Sequence, residues 1–138
     1  MSKALASGLA LFIIMLLTYI YKRYIVFNKA RLKKIFDKGQ YKKIIHRYAS
    51  HKSRLPPEVY LDKDTYLIFA KCYLETGKLE DSLIEIDACL RINSYYQEAY
   101  LLKIKILKLL GDFNRATTTT NELIELYPEQ QEYKNLLN

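Results

Sequence analysis

The apolar residues between Lys63 and Pro128 recur at helical spacing, and the whole pattern is written twice, one copy directly after the other. In each copy an apolar helical stretch ends at a glycine, Gly77 or Gly111, and a second helical stretch follows. This pattern predicts two helical hairpins in direct succession. A fixed period of about 34 residues is typical of a solenoid built from stacked repeats. The matching pairs are Tyr66 and Tyr100, Phe69 and Lys103, Ala70 and Ile104, Tyr73 and Leu107, Leu79 and Phe113, Ser82 and Ala116, and Leu90 and Ile124.

These repeated positions resemble those of the tetratricopeptide-repeat (TPR) family. An aromatic residue opens each first helix, Tyr73 stands two helical turns after Tyr66, and Pro128 closes the second copy. A small residue, Ser82 or Ala116, stands five residues after each glycine. The departures from the family pattern are Lys103 in place of a Leu, Ile104 in place of a small residue, and Ser94 in place of the first closing Pro. The resemblance implies an all-α solenoid whose hairpins bind other polypeptides.

A third and weaker copy of the repeat lies between Tyr24 and His51. Gly39 precedes Gly77 by slightly more than one period, and the Pro-containing stretch 53–62 accommodates the extra residues. The opening aromatic residue is missing from this copy. The sequence therefore predicts a degenerate hairpin ahead of the two good ones.

The stretch from Ala4 to Tyr21 contains no charged residue. At 1.5 Å per residue its length is about 27 Å, close to the roughly 30 Å of a bilayer's hydrocarbon core. A secretory signal peptide is the competing interpretation, but no small-residue cleavage site follows the apolar run. We expect an uncleaved membrane anchor with Lys22 and Arg23 at the headgroups. The predicted units are a transmembrane anchor at 1–27, a basic degenerate hairpin and loop at 28–62, TPR hairpins at 63–96 and 97–128, and a capping helix at 129–138.

The flanking charges predict the orientation of this anchor. Lys3 precedes the apolar run, whereas a cluster of Lys and Arg follows it between positions 22 and 34. The positive-inside rule then keeps the repeats in the cytoplasm, at a bacterial inner membrane or an organelle membrane, and passes the N-terminus across. An outward-facing arrangement is the alternative. The anchor either continues into the first repeat helix as one rod or breaks near Lys22–Tyr24, and the sequence does not decide between these.

Charge is distributed unevenly along a chain whose formal net charge is +7. Between positions 22 and 54 Asp37 is the only acid among many Lys and Arg, whereas acids outnumber bases from position 55 onward. The basic run either is a solvated face that sets topology or contacts anionic lipid through the residues nearest the bilayer. Those nearest residues are Lys22, Arg23 and Lys29. Nucleic acid is not an expected partner, because the positive charge lies against the membrane and the distal repeats are acidic.

The TPR resemblance also implies where a partner binds, because the first helix of each hairpin in that family lines a concave groove. Leucines with lysines between them suit an amphipathic or acidic peptide helix. Some of these leucines have an alternative role in packing against neighbouring helices. The subset of the family that clamps chaperone carboxylates uses an Asn on these helices, and that Asn is not found here. The candidate groove residues are Leu67, Lys71, Leu74, Glu75, Leu101, Lys105, Lys108 and Leu109.

The sequence offers little for catalysis or for metal binding. His46 and His51 are the only histidines, and their spacing does not place them on one helical face. Cys72 and Cys89 are expected as free thiols in small buried slots. No phosphate-binding loop, metal-ligand spacing or nucleophile–base arrangement is present. We therefore expect a non-enzyme without cofactor or metal.

Two functions of different classes follow from these features. The first is a membrane-anchored scaffold or adaptor that recruits or holds partner polypeptides at the membrane surface. The second is a constitutive accessory subunit of a larger membrane complex, such as a secretion, import, motor or respiratory assembly. In both cases the partners are proteins and, through residues 4–21, the lipid bilayer.

Overall fold

The structure is a computed structural model that describes residues 3–20, 28–52 and 61–137. All regular elements in these ranges are helices, and three helical hairpins follow the first helix. The α-helices are α1 (Lys3–Ile20), α2 (Lys29–Asp37), α3 (Tyr41–Lys52), α4 (Lys63–Glu75), α5 (Leu79–Ile92), α6 (Gln97–Leu109) and α7 (Phe113–Leu126). A 3₁₀ helix, Gln131–Leu137, closes the described chain. The predicted all-α solenoid is confirmed, whereas the predicted C-terminal cap is a 3₁₀ helix.

Each hairpin turns at a glycine in the left-handed region of backbone space. Gly39, Gly77 and Gly111 have φ angles of 68°, 74° and 75°. At all three turns the glycine N–H and the following N–H donate to carbonyls of the preceding helix, which satisfies its last acceptors. A side chain disfavours this conformation, so the recurrence of glycine at this point has a backbone cause.

The first turns of three helices are capped by short polar side chains. The Asn28 side chain accepts from the Arg31 N–H at the start of α2, and Asp112 accepts from the Arg115 N–H in the same way at α7. Asp62 accepts from the N–H groups of Asp64 and Thr65 at α4. These caps fix the helix starts by satisfying donors that have no partner within the helix.

The hairpins stack side by side, and a separate apolar cluster fills each junction. One cluster joins α2 and α3 to α4 and contains Tyr48 stacked on Phe69, with ring centroids 3.7 Å apart. A second joins α4–α5 to α6–α7. A third joins α6–α7 to the 3₁₀ helix. This chain of neighbour contacts is the architecture expected of a solenoid.

Small polar groups lie inside this core with hydrogen-bond partners. The Ser82 hydroxyl donates to the Ala70 carbonyl at 2.7 Å, which ties the two helices of one hairpin together. Cys72 and Cys89 are buried free thiols, as predicted. Burial raises the pKa of Cys72 to about 12 and that of Cys89 to about 11, so both thiols are protonated at neutral pH. The threonine run, Thr117–Thr120, is helical within α7, as predicted.

The first helix differs from all others in having apolar side chains exposed on every side. From Ser7 onward all of its described side chains are exposed, including Leu11, Phe12 and Met15. Among the residues that the structure describes, no helix is both long and apolar enough to cross a lipid bilayer. The predicted anchor is therefore not supported by this finding. Lys22, Arg23 and the question of a continuous rod lie outside the described residues.

Candidate protein-binding surface

The candidate groove residues lie on α4 and α6, the first helices of the second and third hairpins. Each of these two helices packs against the second helix of the preceding hairpin: α3 contacts α4, and α5 contacts α6. The Lys71 ammonium of α4 also pairs with the Glu98 carboxylate of α6 at 2.6 Å. The two helices are thus joined at the surface as well as through the core.

The α4 candidates are mostly engaged within the fold. Leu67 is 4% exposed in the core cluster between the second and third hairpins, and Leu74 packs against the same cluster. Lys71 is half-buried in its pair with Glu98. Only Glu75 is exposed among the four. These four α4 residues therefore present little apolar surface to a ligand.

Glu75 borders an open cavity at the turn end of the hairpins. The cavity has a volume of about 590 Å³, and its other walls come from the turn after α2 and the start of α3. Lys42 and Lys43 also line it. Charges of both signs therefore border this cavity. It lies at the ends of the helices rather than along the predicted groove.

The α6 candidates are more accessible. Leu101 and Leu109 are 37% and 56% exposed, and Lys105 between them is also exposed. Each of the three stands about one helical turn after the one before, so they lie on one face of the helix. Lys108 turns away from this stripe and donates to the Leu136 carbonyl at 2.7 Å. Leu101, Lys105 and Leu109 form what we call the α6 stripe.

A polar cluster centred on Asp64 connects the first helices near their starts. The Asp64 carboxylate pairs with Lys29 of α2 and with Lys63, and it accepts from the Tyr96 hydroxyl at 2.9 Å. Lys63 also lies over the Tyr96 ring, 3.7 Å from its centroid. The hydrogen bond from Lys29 is the main reason that the pKa of Asp64 falls to about 2. Lys29, predicted as a membrane-surface residue, is exposed but is paired with Asp64.

Sequence reasoning missed the partners in these contacts. Glu98 and Tyr96 were not among the candidates, although Glu98 stands one period after Asp64 and so occupies the same repeat position. Phe113 was also missed, and its side chain is 65% exposed. The repeat period could have identified Phe113 as a candidate, because it occupies the same repeat position as Leu79.

Comparison with curated proteins gives a partial match. No family model matches the chain. The outer dynein arm-docking complex subunit 4 of Mus musculus is 33% identical over 70 residues. That alignment covers 51% of this chain and 11% of the mouse protein. The chain thus spans only about a tenth of this relative.

Solved structures with a similar fold are TPR domains. The second TPR domain of human RPAP3, in complex with the HSP70 peptide SGPTIEEVD, has a TM-score of 0.66 and 19% identity, covering 81% of this chain and 90% of that one. The first TPR of Spaghetti (RPAP3), bound to the HSP90 peptide SRMEEVD, has a TM-score of 0.66 and 21% identity, covering 84% and 88%. The Arabidopsis OM64 TPR domain has a TM-score of 0.64 and 15% identity, covering 86% and 93%.

These likenesses are consistent with the glycine turns, the stacked hairpins and the apolar junctions described above. At such low identities they concern the backbone arrangement alone. The fold of this chain is a TPR-like α-solenoid.

Proposed function

We propose that this protein is a membrane-anchored TPR scaffold or adaptor that holds partner polypeptides at a membrane surface. The observation that carries the proposal is the α6 stripe, Leu101, Lys105 and Leu109, which offers exposed leucines on either side of an exposed lysine. Such a surface fits the apolar face of a peptide helix that carries an acidic group. The fold neighbours bound to the peptides SGPTIEEVD and SRMEEVD, both of which contain consecutive acidic residues, support a peptide-binding role.

The proposed ligand is an internal peptide helix rather than a free chain terminus. In this chain α4 and α6 contain no Asn, the residue that the carboxylate-clamping TPR domains use beside their basic residues. The first turns of these two helices instead hold the acids Asp64 and Glu98. The lysines nearest these acids, Lys29, Lys63 and Lys71, are already paired with them and are therefore not free to clamp a carboxylate terminus.

The proposed anchor is the segment that contains α1. Its sequence runs from Ala4 to Tyr21 without a charge, and the described side chains of α1 are exposed on all sides. A helix that is apolar all round needs an apolar environment, and a bilayer supplies one. The basic residues that follow keep the solenoid on the cytoplasmic side in this proposal. The membrane is a bacterial inner membrane or an organelle membrane.

Alkaline carbonate extraction of membranes that contain the full chain tests the anchor. We expect the chain to stay in the membrane pellet, because an inserted helix resists extraction whereas a peripheral protein is released. The double variant Leu11→Lys and Leu16→Lys places two charges in the apolar run and should release the chain. The matched control Lys42→Glu and Lys43→Glu, on exposed positions of α3, should leave it in the pellet. Release of the unaltered chain would refute the anchor.

A pull-down from mild detergent with a C-terminal tag on the full chain tests partner binding. We expect a specific protein in the eluate that Lys105→Glu removes, since the substitution reverses the charge of the α6 stripe. Lys78→Glu, on an exposed lysine at the start of α5, is the matched control and should retain the partner. If both variants retain every captured protein equally, the α6 stripe is not the binding surface.

The exposed apolar surface of α1 also favours a second candidate function. Helices of other membrane proteins can cover such a surface, as they would if the chain were a constitutive accessory subunit of a membrane complex. In that case membrane proteins co-purify in a fixed ratio with the full chain. Their retention would be abolished by the α1 lysine variants and unchanged by Lys105→Glu.

A further inference from the structure

Residues at the same repeat position differ sharply in exposure between the second and third hairpins. Leu67 is 4% exposed, whereas Leu101, one period later, is 37% exposed. Leu79 packs against the core, whereas its equivalent Phe113 is 65% exposed. The two hairpins have the same backbone design, so the difference lies in what covers them.

The second hairpin is covered by α6 along its whole length. Ala99 near the start of α6 and Leu107 near its end both belong to the core cluster that buries Leu67. Leu110, just after α6, packs against the same cluster, as Leu79 does. A 13-residue helix therefore supplies the cover for one hairpin face.

The third hairpin receives only half of this cover. The 3₁₀ helix begins at Gln131, one period after Gln97, so it starts where a further first helix would start. It has seven residues and covers Tyr100, Ile104 and Leu123. Phe113 is not among the residues that the 3₁₀ helix covers and remains exposed. Leu109 beside it is exposed as well, as is its repeat equivalent Glu75, so an apolar residue here adds to the exposed edge.

A charge is left over at the same place. On the second hairpin Lys71 pairs with Glu98 of the covering helix. Lys105 is the equivalent lysine on the third hairpin, and among the described residues it has no ion pair. Glu132, one period after Glu98, is exposed on the 3₁₀ helix. The third hairpin thus shows an uncovered apolar edge beside an unneutralised lysine.

We propose that the exposed end of the third hairpin, formed by Leu101, Lys105, Leu109 and Phe113, is a docking site for an amphipathic helix of a partner protein. The partner helix stacks as a further first helix would, with an acidic residue paired to Lys105. The proposal rests on the protein-binding function proposed above and specifies the surface and the ligand. It places the contact on the C-terminal side of the third hairpin, where Phe113 joins the α6 stripe.

Helix α6, which packs on the second hairpin, indicates the sequence pattern that the partner helix should have. In α6 the residues that meet the second hairpin include Glu98, Ala99, Leu102 and Ile106. The pattern is an acid at position i and apolar residues at i+1, i+4 and i+8. A second copy of this chain is a poorer occupant, because its first repeat helix, α2, presents exposed Lys33 and Lys34 to a site that already holds Lys105.

The proposal is tested by the binding of a labelled synthetic peptide to the full chain in mild detergent. The peptide has the sequence of residues 97–110 with its three lysines replaced by Gln, so that Glu98 is its only charged side chain. Fluorescence anisotropy should show saturable binding of one peptide per chain, absent for a scrambled peptide. Phe113→Ala should weaken binding about tenfold, since a buried aromatic contact is lost. Lys105→Glu should weaken it roughly fivefold, because an attraction becomes a repulsion at a solvated site. Both side chains are exposed, so the thermal unfolding of the variants should match that of the unaltered chain.

A charge exchange separates specific docking from general apolar binding. A peptide carrying Glu98→Lys should bind the unaltered chain weakly and the Lys105→Glu chain well. Lys78→Glu is the control and should leave the affinity of the unaltered peptide unchanged. The proposal is overturned if binding does not saturate, if the charge exchange restores nothing, or if light scattering shows that copies of the chain occupy the site. A partner captured in the pull-down that survives Lys105→Glu and Phe113→Ala would overturn it too, but would leave the adaptor function standing with its contact elsewhere.

Discussion

Asp64 connects three successive hairpins through one carboxylate. Its partners are Lys29 from the first hairpin and Tyr96 from the start of the third, and Lys63 lies beside it. These contacts lie at the surface, with the Asp64 side chain 29% exposed and that of Lys29 53% exposed. Each is individually weak, as surface ion pairs are. Because all of them meet at one carboxylate, together they connect the starts of three neighbouring first helices.

The depressed pKa of Asp64 predicts a loss of stability in acid. The folded-state pKa is about 2 and the unfolded value is about 4, so the contribution is complete above about pH 4 and is lost as the pH falls towards 2. Because Lys29 is half exposed, we expect a contribution of only about 1 kcal/mol. Asp64→Asn should therefore lower the urea midpoint at pH 6 and have a smaller effect near pH 2.

Asp81→Asn is the matched control for this prediction. Asp81 stands in the first turn of α5 as Asp64 stands in the first turn of α4, and its side chain is exposed. Any effect of the helix dipole is thus common to both variants. An equal pH dependence for the two variants would show that the partners of Asp64 contribute nothing of their own.

At the scale of the element, the hairpin turns limit which residues the repeat accepts. Gly77 has a φ of 74°, and a Cβ built there meets nothing within 4 Å. A substitution at this site therefore tests the backbone conformation without a steric clash. The two helices that it joins share one of the apolar clusters, so a strained turn acts directly on the packing of α4 against α5.

Gly77→Ala should reduce the free energy of unfolding by about 1–2 kcal/mol, the cost of a left-handed conformation for an ordinary residue. Gly77→Asn should cost less, because Asn tolerates this region better. Chemical denaturation followed by circular dichroism measures both. If the two variants are equally stable, the left-handed turn is not what selects glycine here.

At the scale of the whole molecule, the sequence predicted the features that depend on local pattern. The repeat period located the hairpins, the glycine turns and the buried cysteines, because each follows from helical spacing and backbone conformation. The exposure of individual side chains on the third hairpin could not be predicted from this local pattern. Leu67 and Leu101 are the same residue at the same repeat position, and only the helix stacked beyond each one decides which is buried. The pairing of Lys29 with Asp64 was missed for a similar reason, since the partners stand in different hairpins.

The 3₁₀ helix is the element that covers the third hairpin, and Tyr133 is its buried residue. We therefore expect the stability of the third hairpin to depend on Tyr133. Tyr133 is buried beside Tyr100, Ile104 and Leu123, and its ring meets Tyr127 edge-on. Tyr133→Ala should cost about 3 kcal/mol, as expected for removing a buried aromatic ring. Because repeats contact only their neighbours, hydrogen exchange should rise most in α6 and α7 and least in α2 and α3.

The variant Tyr133→Phe distinguishes the contribution of the aromatic ring to stability from that of its hydroxyl. The buried Tyr133 hydroxyl has no hydrogen-bond partner among the described residues, so replacing it with hydrogen loses no bond and removes a polar group from an apolar site. We expect stability equal to that of the unaltered chain or up to about 1 kcal/mol above it. A cost comparable to that of Tyr133→Ala would mean that the hydroxyl, rather than the apolar ring, holds the cap in place. In that case a polar contact would hold the 3₁₀ helix on the third hairpin. The exposure of Phe113 could then no longer be explained by apolar packing that is too short to cover it.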